Sequence, residues 1–242
     1  MANRIALAAF LAAIISGCAG GSSKEQTNLD SLPAAFRDAI PSGMHDGLQL
    51  VALDWRPGHD LLNTKAWRTV EFYKPGTNEV LRTERISIAS GYRAMYAYPG
   101  TEYFANVRIE QSVPGSYHTD KKKVIDYITY LYDSKNALLA EYLRDNPDLK
   151  AKIDKMKARG KDYITFERNN YRNFEYISYT ANVIGLTGGT ISHIHIFVPK
   201  NDIIVTAYLL SQKKAKFATI EEFLQLRQQF LEGYIEYLAK SN

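Results

Sequence analysis

The chain has 242 residues, of which 45% are hydrophobic, and its formal net charge at pH 7 is +4. So small a basic surplus does not predict a nucleic-acid-binding protein, because such proteins concentrate a much stronger positive field. Its single cysteine, Cys18, excludes an intramolecular disulfide and cysteine catalysis anywhere after that position.

The first residues have the composition of an export signal. One basic residue, Arg4, precedes eleven consecutive apolar residues at 5–15. At about 1.5 Å per residue, this run is too short to cross a hydrocarbon layer of about 30 Å. A signal peptide is therefore predicted rather than a membrane-spanning helix.

The apolar run ends in the tetrapeptide Ile15-Ser16-Gly17-Cys18. It resembles the lipobox of bacterial lipoproteins, an aliphatic residue and two small residues before the cysteine. The resemblance implies that the signal is cut between Gly17 and Cys18, that the Cys18 thiol carries a diacylglycerol and that the new amino terminus is acylated. An ordinary signal with an incidental cysteine is the alternative. Because Ala19 rather than Asp follows the cysteine, the family's sorting rule implies the outer membrane, facing the periplasm.

Three segments are predicted. Residues 1–17 are the signal peptide, 18–30 are the lipid-anchor cysteine with a small, polar, flexible tether, and 31–242 are a single periplasmic domain.

The first half of this domain is predicted to be mostly antiparallel β. Ser31 and Pro33 predict the start of a short helix at 32–40. Residue alternation and turn residues then predict strands at 47–55, 66–74, 79–89 and 102–111. A hairpin around Pro75-Gly76 joins the second of these strands to the third.

Helical periodicity begins near Asp120. It predicts a long amphipathic helix at 120–145 and a second helix that ends at Gly160. The period then returns to two and predicts a four-strand meander at 162–168, 171–184, 190–199 and 203–211. The predicted separators are Asn169-Asn170, residues 187–189 and residues 201–202. A capping box at 219–222 predicts a final helix at 220–239.

This order predicts an α+β fold, in which an antiparallel sheet of two strand groups is covered by a long central helical block and a C-terminal helix. The final strand pair followed by a helix resembles the PsbP-like α-β-α sandwich, whereas the helical block at 120–159 departs from it. The resemblance implies a fold and no activity.

His193 and His195 are the candidate metal ligands, because residues i and i+2 of a strand share a face. Two-residue turns on both sides would bring the following residues beside the pair: Thr180, Asn182, Tyr208 and Leu210. None of these completes a good metal site. Polar histidines on a sheet face are therefore predicted in preference to a metal site, and no cofactor is predicted.

Two segments are candidate interaction surfaces. The second predicted helix is rich in basic residues, which could meet lipid headgroups or an acidic partner: Lys150, Lys152, Lys155, Lys157 and Arg159. The strand at 171–179 carries Tyr171, Tyr176 and Tyr179, and tyrosine is favoured at recognition surfaces. A solvated helix face and core tyrosines are the alternatives.

No hydrolase or phosphate-loop motif is present in the sequence. The predicted function is a membrane-anchored envelope lipoprotein with a non-enzymatic binding or interaction domain, of an immunity, exclusion or envelope-maintenance type. Its predicted partners are the lipid bilayer, through Cys18, and a protein or envelope component, with no nucleic acid. The alternative is an envelope hydrolase or metal-dependent enzyme that uses His193 and His195, or a carboxylate pair among the acids Asp54, Asp60 and Glu71.

Overall fold

The computed structural model describes residues 28–44, 47–55, 67–74, 77–100, 103–157, 164–182, 190–210 and 220–241. The predicted signal peptide, Cys18 and most of the tether lie outside these residues. Within them, no helix has both the length and the apolar character needed to cross a membrane.

Eight strands make up an antiparallel sheet. Their bounds are β1 (Gln49–Trp55), β2 (Trp67–Tyr73), β3 (Val80–Ala97), β4 (Tyr103–Ser112), β5 (Ile164–Tyr171), β6 (Phe174–Asn182), β7 (Thr190–Val198) and β8 (Ile203–Leu210). The order across the sheet is β1-β3-β4-β8-β7-β6-β5, and β2 pairs with β3. The predicted meander of the last four strands and the hairpin between β2 and β3 are both confirmed by this pairing.

The described helices are α1 (Ala34–Arg37), α2 (Tyr117–Arg144), α3 (Pro147–Lys157) and α4 (Ile220–Ser241). Single 3-10 turns occur at Leu29–Ser31 and Pro199–Asn201. The mixed α+β class predicted from the sequence is confirmed, with sheet outweighing helix.

Three local predictions are corrected. The helix predicted at 32–40 is only the four-residue α1: its N-cap residue is Pro33, which cannot cap with its side chain, and the Ser31 hydroxyl donates to the Asn28 carbonyl instead. The strand predicted to end at 89 continues to Ala97, because its second half pairs with both β1 and β4. The turn after β5 lies at Arg172-Asn173 rather than Asn169-Asn170, since both later residues adopt positive φ angles of 46° and 67°.

The two faces of the sheet bury different sets of apolar residues. On one face, strand residues such as Val107, Ile194 and Val205 share a core with α1 and with Phe230 and Tyr234 of α4. On the other face, strand residues such as Ile177, Phe197 and Ile204 share a core with β2 and with Val124 and Ile128 of α2. Successive strand side chains point to opposite faces, so each strand contributes to both cores.

Two side chains of α2 fix it to the β2–β3 hairpin. Asp120, which is fully buried, accepts a hydrogen bond of 3.0 Å from the Ser87 backbone N–H. The Tyr130 hydroxyl accepts from the Tyr73 N–H and donates to the Tyr73 carbonyl, at 2.6 Å each. The hairpin and α2 therefore cover the same face of the sheet as one unit.

Removing the Tyr130 hydroxyl should loosen this attachment. Tyr130→Phe removes the two hydrogen bonds between the Tyr130 hydroxyl and the Tyr73 backbone, so we expect the free energy of unfolding to fall by about 1–2 kcal/mol. Denaturant unfolding followed by circular dichroism measures the change. Tyr132→Phe is the matched control, because the contact between that ring and Phe166 survives the substitution. Equal losses in the two variants would contradict the assigned role of Tyr130.

Candidate functional site

The register of β7 differs from the predicted one. His193 pairs with Tyr179 and Tyr208, and His195 pairs with Ile177 and Thr206. The predicted neighbours Thr180, Asn182 and Leu210 are therefore wrong. The reason is connection length: β6 and β7 close at Asn182 and Thr190 with residues 183–189 between them, and β7 and β8 close at Val198 and Ile203 around a 3-10 turn.

His195 belongs to a row of polar side chains that crosses five strands. Direct cross-strand pairs run from Asp54 to Arg93, Arg108, Thr206 and His195, on β1, β3, β4, β8 and β7 in turn. Paired residues share a face of the sheet, so these five side chains lie side by side. We call them the polar row, and they occupy the face that α2 and β2 cover.

His195 lies at the deep end of the polar row, with 2% of its surface exposed. Its Nδ1 is 3.0 Å from the Thr206 hydroxyl, whereas its Nε2 has no hydrogen-bond partner among the described residues. Burial lowers the pKa of His195 well below its ordinary value, and the nearby charges of Arg68 and Arg108 lower it further. The imidazole is therefore neutral at physiological pH.

Arg68 of β2 contacts the sheet beside the polar row, at Glu110 of β4. Its side chain is 10% exposed and its Nε lies 3.1 Å from Oε2 of Glu110, which is 3% exposed. Arg108 of the polar row lies on the other oxygen, with Nε 3.6 Å from Glu110 Oε1. Even so, Nε and Nη2 of Arg68 have no well-aligned acceptor in the part of the chain that the structure describes. Two arginines thus share one carboxylate.

Aromatic side chains make up the next row on the same face. His193 packs edge-on between Tyr208 and Tyr179, with ring centroids 4.8 and 6.0 Å away. Tyr127 of α2 lies above, where burial and the neighbouring Tyr208 raise its pKa to about 12 against the opposing effect of Arg68. The polar row is therefore bordered by aromatic rings on the sheet and on the helix.

Among the described residues, no group of three or more His, Cys, Asp or Glu side chains is placed to hold a metal ion. The neighbours of the two histidines are arginine, threonine and tyrosine, and positive charges oppose a cation at His195.

Titration of the full chain with zinc tests this arrangement. We expect no binding at micromolar affinity or tighter that depends on the histidine pair, because the pair lacks a third ligand and faces two arginines. Isothermal titration calorimetry of the natural chain and of His195→Ala measures the difference. Micromolar binding that disappears in His195→Ala would contradict this expectation.

The other predicted site residues are dispersed. Asp54 lies opposite Arg93 and Glu71 lies opposite Thr83, ten residues apart along β3, so these two acids do not meet; Asp60 lies outside the described residues. Tyr176 and Tyr179 lie in the two hydrophobic cores, one on each face of the sheet, and are 3% and 4% exposed.

Tyr171 is half-buried, and its hydroxyl donates to Glu236 of α4 at 3.2 Å.

The basic residues of α3 remain a candidate surface. Lys150 and Lys155 are exposed, and Lys150 pairs with Asp154 at 2.6 Å. Nothing is described of the side chains of Lys152 and Lys157, and Arg159 lies outside the described residues.

A second buried polar cluster lies on the opposite face and links α4 to the sheet. Arg227, which is 8% exposed, donates to Glu167 at 3.0 Å, to Ser192 at 3.1 Å and to Ser178. Burial alone would raise the pKa of Glu167, but hydrogen bonds from Tyr176 and Arg227 bring it below its ordinary value. These partners satisfy one another, which is the pattern of a structural network.

Sequence reasoning missed Arg68, Arg108 and Glu110. One signal was present, because β4 alternates Asn106, Arg108 and Glu110 with apolar residues. That alternation is normally typical of a face in contact with water. Only the folding of the β2–β3 hairpin and α2 over this face makes it an enclosed polar site.

Comparison of this chain with protein-family models, curated proteins and solved structures finds no match.

Proposed function

We propose that this protein is a lipid-anchored envelope protein whose domain binds an envelope component without chemically changing it. The lipobox supports the anchor at Cys18 and a location at the periplasmic face of the outer membrane. The observation that carries the binding function is a pair of buried nitrogen atoms at the polar row, Nη2 of Arg68 and Nε2 of His195, that have no hydrogen-bond partner among the described residues. Groups buried without a partner cost stability, so their presence points to a role in recognition.

The proposal includes the layered arrangement predicted from the sequence, with the central helical block over one face and the C-terminal helix over the other. The two cores support it, since α2 contributes to one and α4 to the other. This arrangement places the polar row beneath a helix, where water is partly excluded.

An envelope hydrolase is the second candidate function, and one observation favours it. The Thr206 hydroxyl lies 3.0 Å from His195 Nδ1, as a nucleophile lies beside its base. Two facts oppose it. A catalytic histidine is oriented by an acid on its other nitrogen, whereas His195 faces Arg68 and Arg108. Those positive charges disfavour the imidazolium that the mechanism requires, so we favour binding over catalysis.

Ligand recovery separates the two functions. The full chain is incubated with the small-molecule fraction of its native envelope, washed and denatured, and the released molecules are identified by mass spectrometry. We expect one molecule to be retained unchanged at up to one per chain, and to be lost in Arg68→Gln. Catalytic depletion of an input molecule with a matching product, or identical recovery from Arg68→Gln, would contradict the proposal.

A further inference from the structure

His195 lies beneath a strand that is paired on one side only. The strands that carry this histidine or lie beside it in the sheet are β7, β8, β6 and β4, and each of them has a neighbour on both sides. Among the described strands β2 pairs with β3 alone, and its Arg68 acts on the histidine from the covered face. Of the strands around His195, β2 is therefore the one that can leave while the rest of the sheet stays intact.

The charged groups that act on His195 oppose a positive charge on its ring. Arg68 of β2 and Arg108 of β4 are cations, and His193 of β7 acts in the same direction. Glu110 of β4 lies on the two arginines, with distances of 3.1 and 3.6 Å. The other elements around the ring present groups that are uncharged at neutral pH: Ile177 of β6, Thr206 of β8 and, beside Arg68, Tyr127 of α2. A proton on His195 therefore adds a positive charge to a buried site that already holds two arginines.

Hydrogen bonding does not accommodate this proton either. Both nitrogens of a protonated imidazole are donors, and Nε2 of His195 has no hydrogen-bond partner among the residues that the structure describes. We propose that acid opens β2: a proton on His195 is accepted when β2 moves off the sheet and takes Arg68 with it, which uncovers the polar row. This device goes beyond the proposed binding function, because it controls access to the row whatever component is bound there.

At neutral pH three kinds of contact hold β2 closed. They are the ion pair of Arg68, the burial of Phe72 in the core shared with α2, and the hydrogen bonds of the Tyr73 backbone. In this closed form burial and the arginines hold the pKa of His195 well below its ordinary value, whereas in the open form the ring regains water and titrates near about 6.5. The closed form is therefore fully stable well above that pH and loses stability as the pH falls through it.

Hydrogen exchange of the full chain, followed by peptide mass spectrometry at about pH 7.5 and about pH 5, measures the opening of each strand once the rates are divided by the intrinsic rates. On this scale we expect β2 to exchange at least about fivefold faster at the lower pH. A low concentration of urea should accelerate exchange in β8 but hardly in β2, because opening β2 exposes little surface and opening β8 requires the sheet to unfold. The acid effect on β2 should disappear in His195→Gln and persist in His118→Gln, which removes an exposed histidine.

A second variant keeps the histidine and weakens the cover. Arg68→Gln removes the charge that contacts Glu110, so β2 should exchange faster than in the natural chain already at neutral pH. Lys74→Gln, which removes an exposed cation from the same hairpin, should leave the β2 rate unchanged.

The comparison of β2 with β8 in the natural chain needs no substitution, so it decides the matter even where a variant fails to fold. Equal responses of the two strands to pH and urea would overturn the inference, because the opening would then be global unfolding. So would a β2 rate that does not depend on pH, an acid effect that survives in His195→Gln, or equal β2 rates in Arg68→Gln and Lys74→Gln.

Discussion

Glu167→Gln is expected to lower the free energy of unfolding by about 3 kcal/mol, near the lower end for a buried ion pair that loses one partner. The substitution leaves the Arg227 guanidinium charged and 8% exposed, without its carboxylate. Arg227 keeps its contacts with Ser178 and Ser192, and Glu167 is itself about one third exposed, so the loss stays near that limit. Denaturant unfolding at pH 7 measures it.

Two further variants make this expectation specific. Glu141→Gln removes an equally charged carboxylate from an exposed pair with Arg144 on α2, and should change the free energy of unfolding by no more than about 0.5 kcal/mol. Adding Arg227→Met to Glu167→Gln removes the stranded charge, so the double variant should be less destabilised than the sum of the two single variants. A loss in Glu167→Gln no larger than in Glu141→Gln would show that the cluster does not hold α4 to the sheet.

Stability is expected to fall below pH 6.5 because of His195. Its folded-state pKa lies well below 6.5, so the unfolded chain binds a proton there that the folded chain does not. As the pH falls through 6.5 toward the folded-state pKa, stability decreases with a slope that approaches about 1.4 kcal/mol per pH unit, and well above 6.5 His195 contributes no such loss.

Denaturant unfolding at several pH values, with His195→Gln beside the natural chain, measures this contribution. The variant should lose most of the slope between pH 6.5 and 5. His118→Gln, which removes an exposed histidine, should retain it. Glu167 and Glu175 have lowered pKa values, so their protonation reduces stability at lower pH than the histidine does. Parallel pH profiles for the natural chain and His195→Gln would contradict a buried neutral imidazole.

Local patterns predicted many of the elements. The hairpin between β2 and β3 follows from Pro75-Gly76, which favours a turn. The apolar stripe of the C-terminal sequence predicts a helix at 220–239, and α4 spans Ile220–Ser241. In such segments the local propensity and the tertiary environment favour the same structure.

The candidate site depended on information that local patterns do not carry. The neighbours of His195 are set by the lengths of the connections at 183–189 and 199–202, and a difference of a few residues changes the face or the partner. The polar row also needs β4 to lie beside β8, strands almost a hundred residues apart in the chain. Arg68 of β2 reaches Glu110 of β4 only because the β2–β3 hairpin folds over the sheet.

The proposed lipid anchor is tested by intact-mass and peptide mass spectrometry of the protein isolated from its native cells. We expect a chain that begins at Cys18, with a diacylglycerol on the sulfur and an acyl group on the amino terminus. An unmodified Cys18 thiol in a chain that still carries residues 1–17 would contradict it.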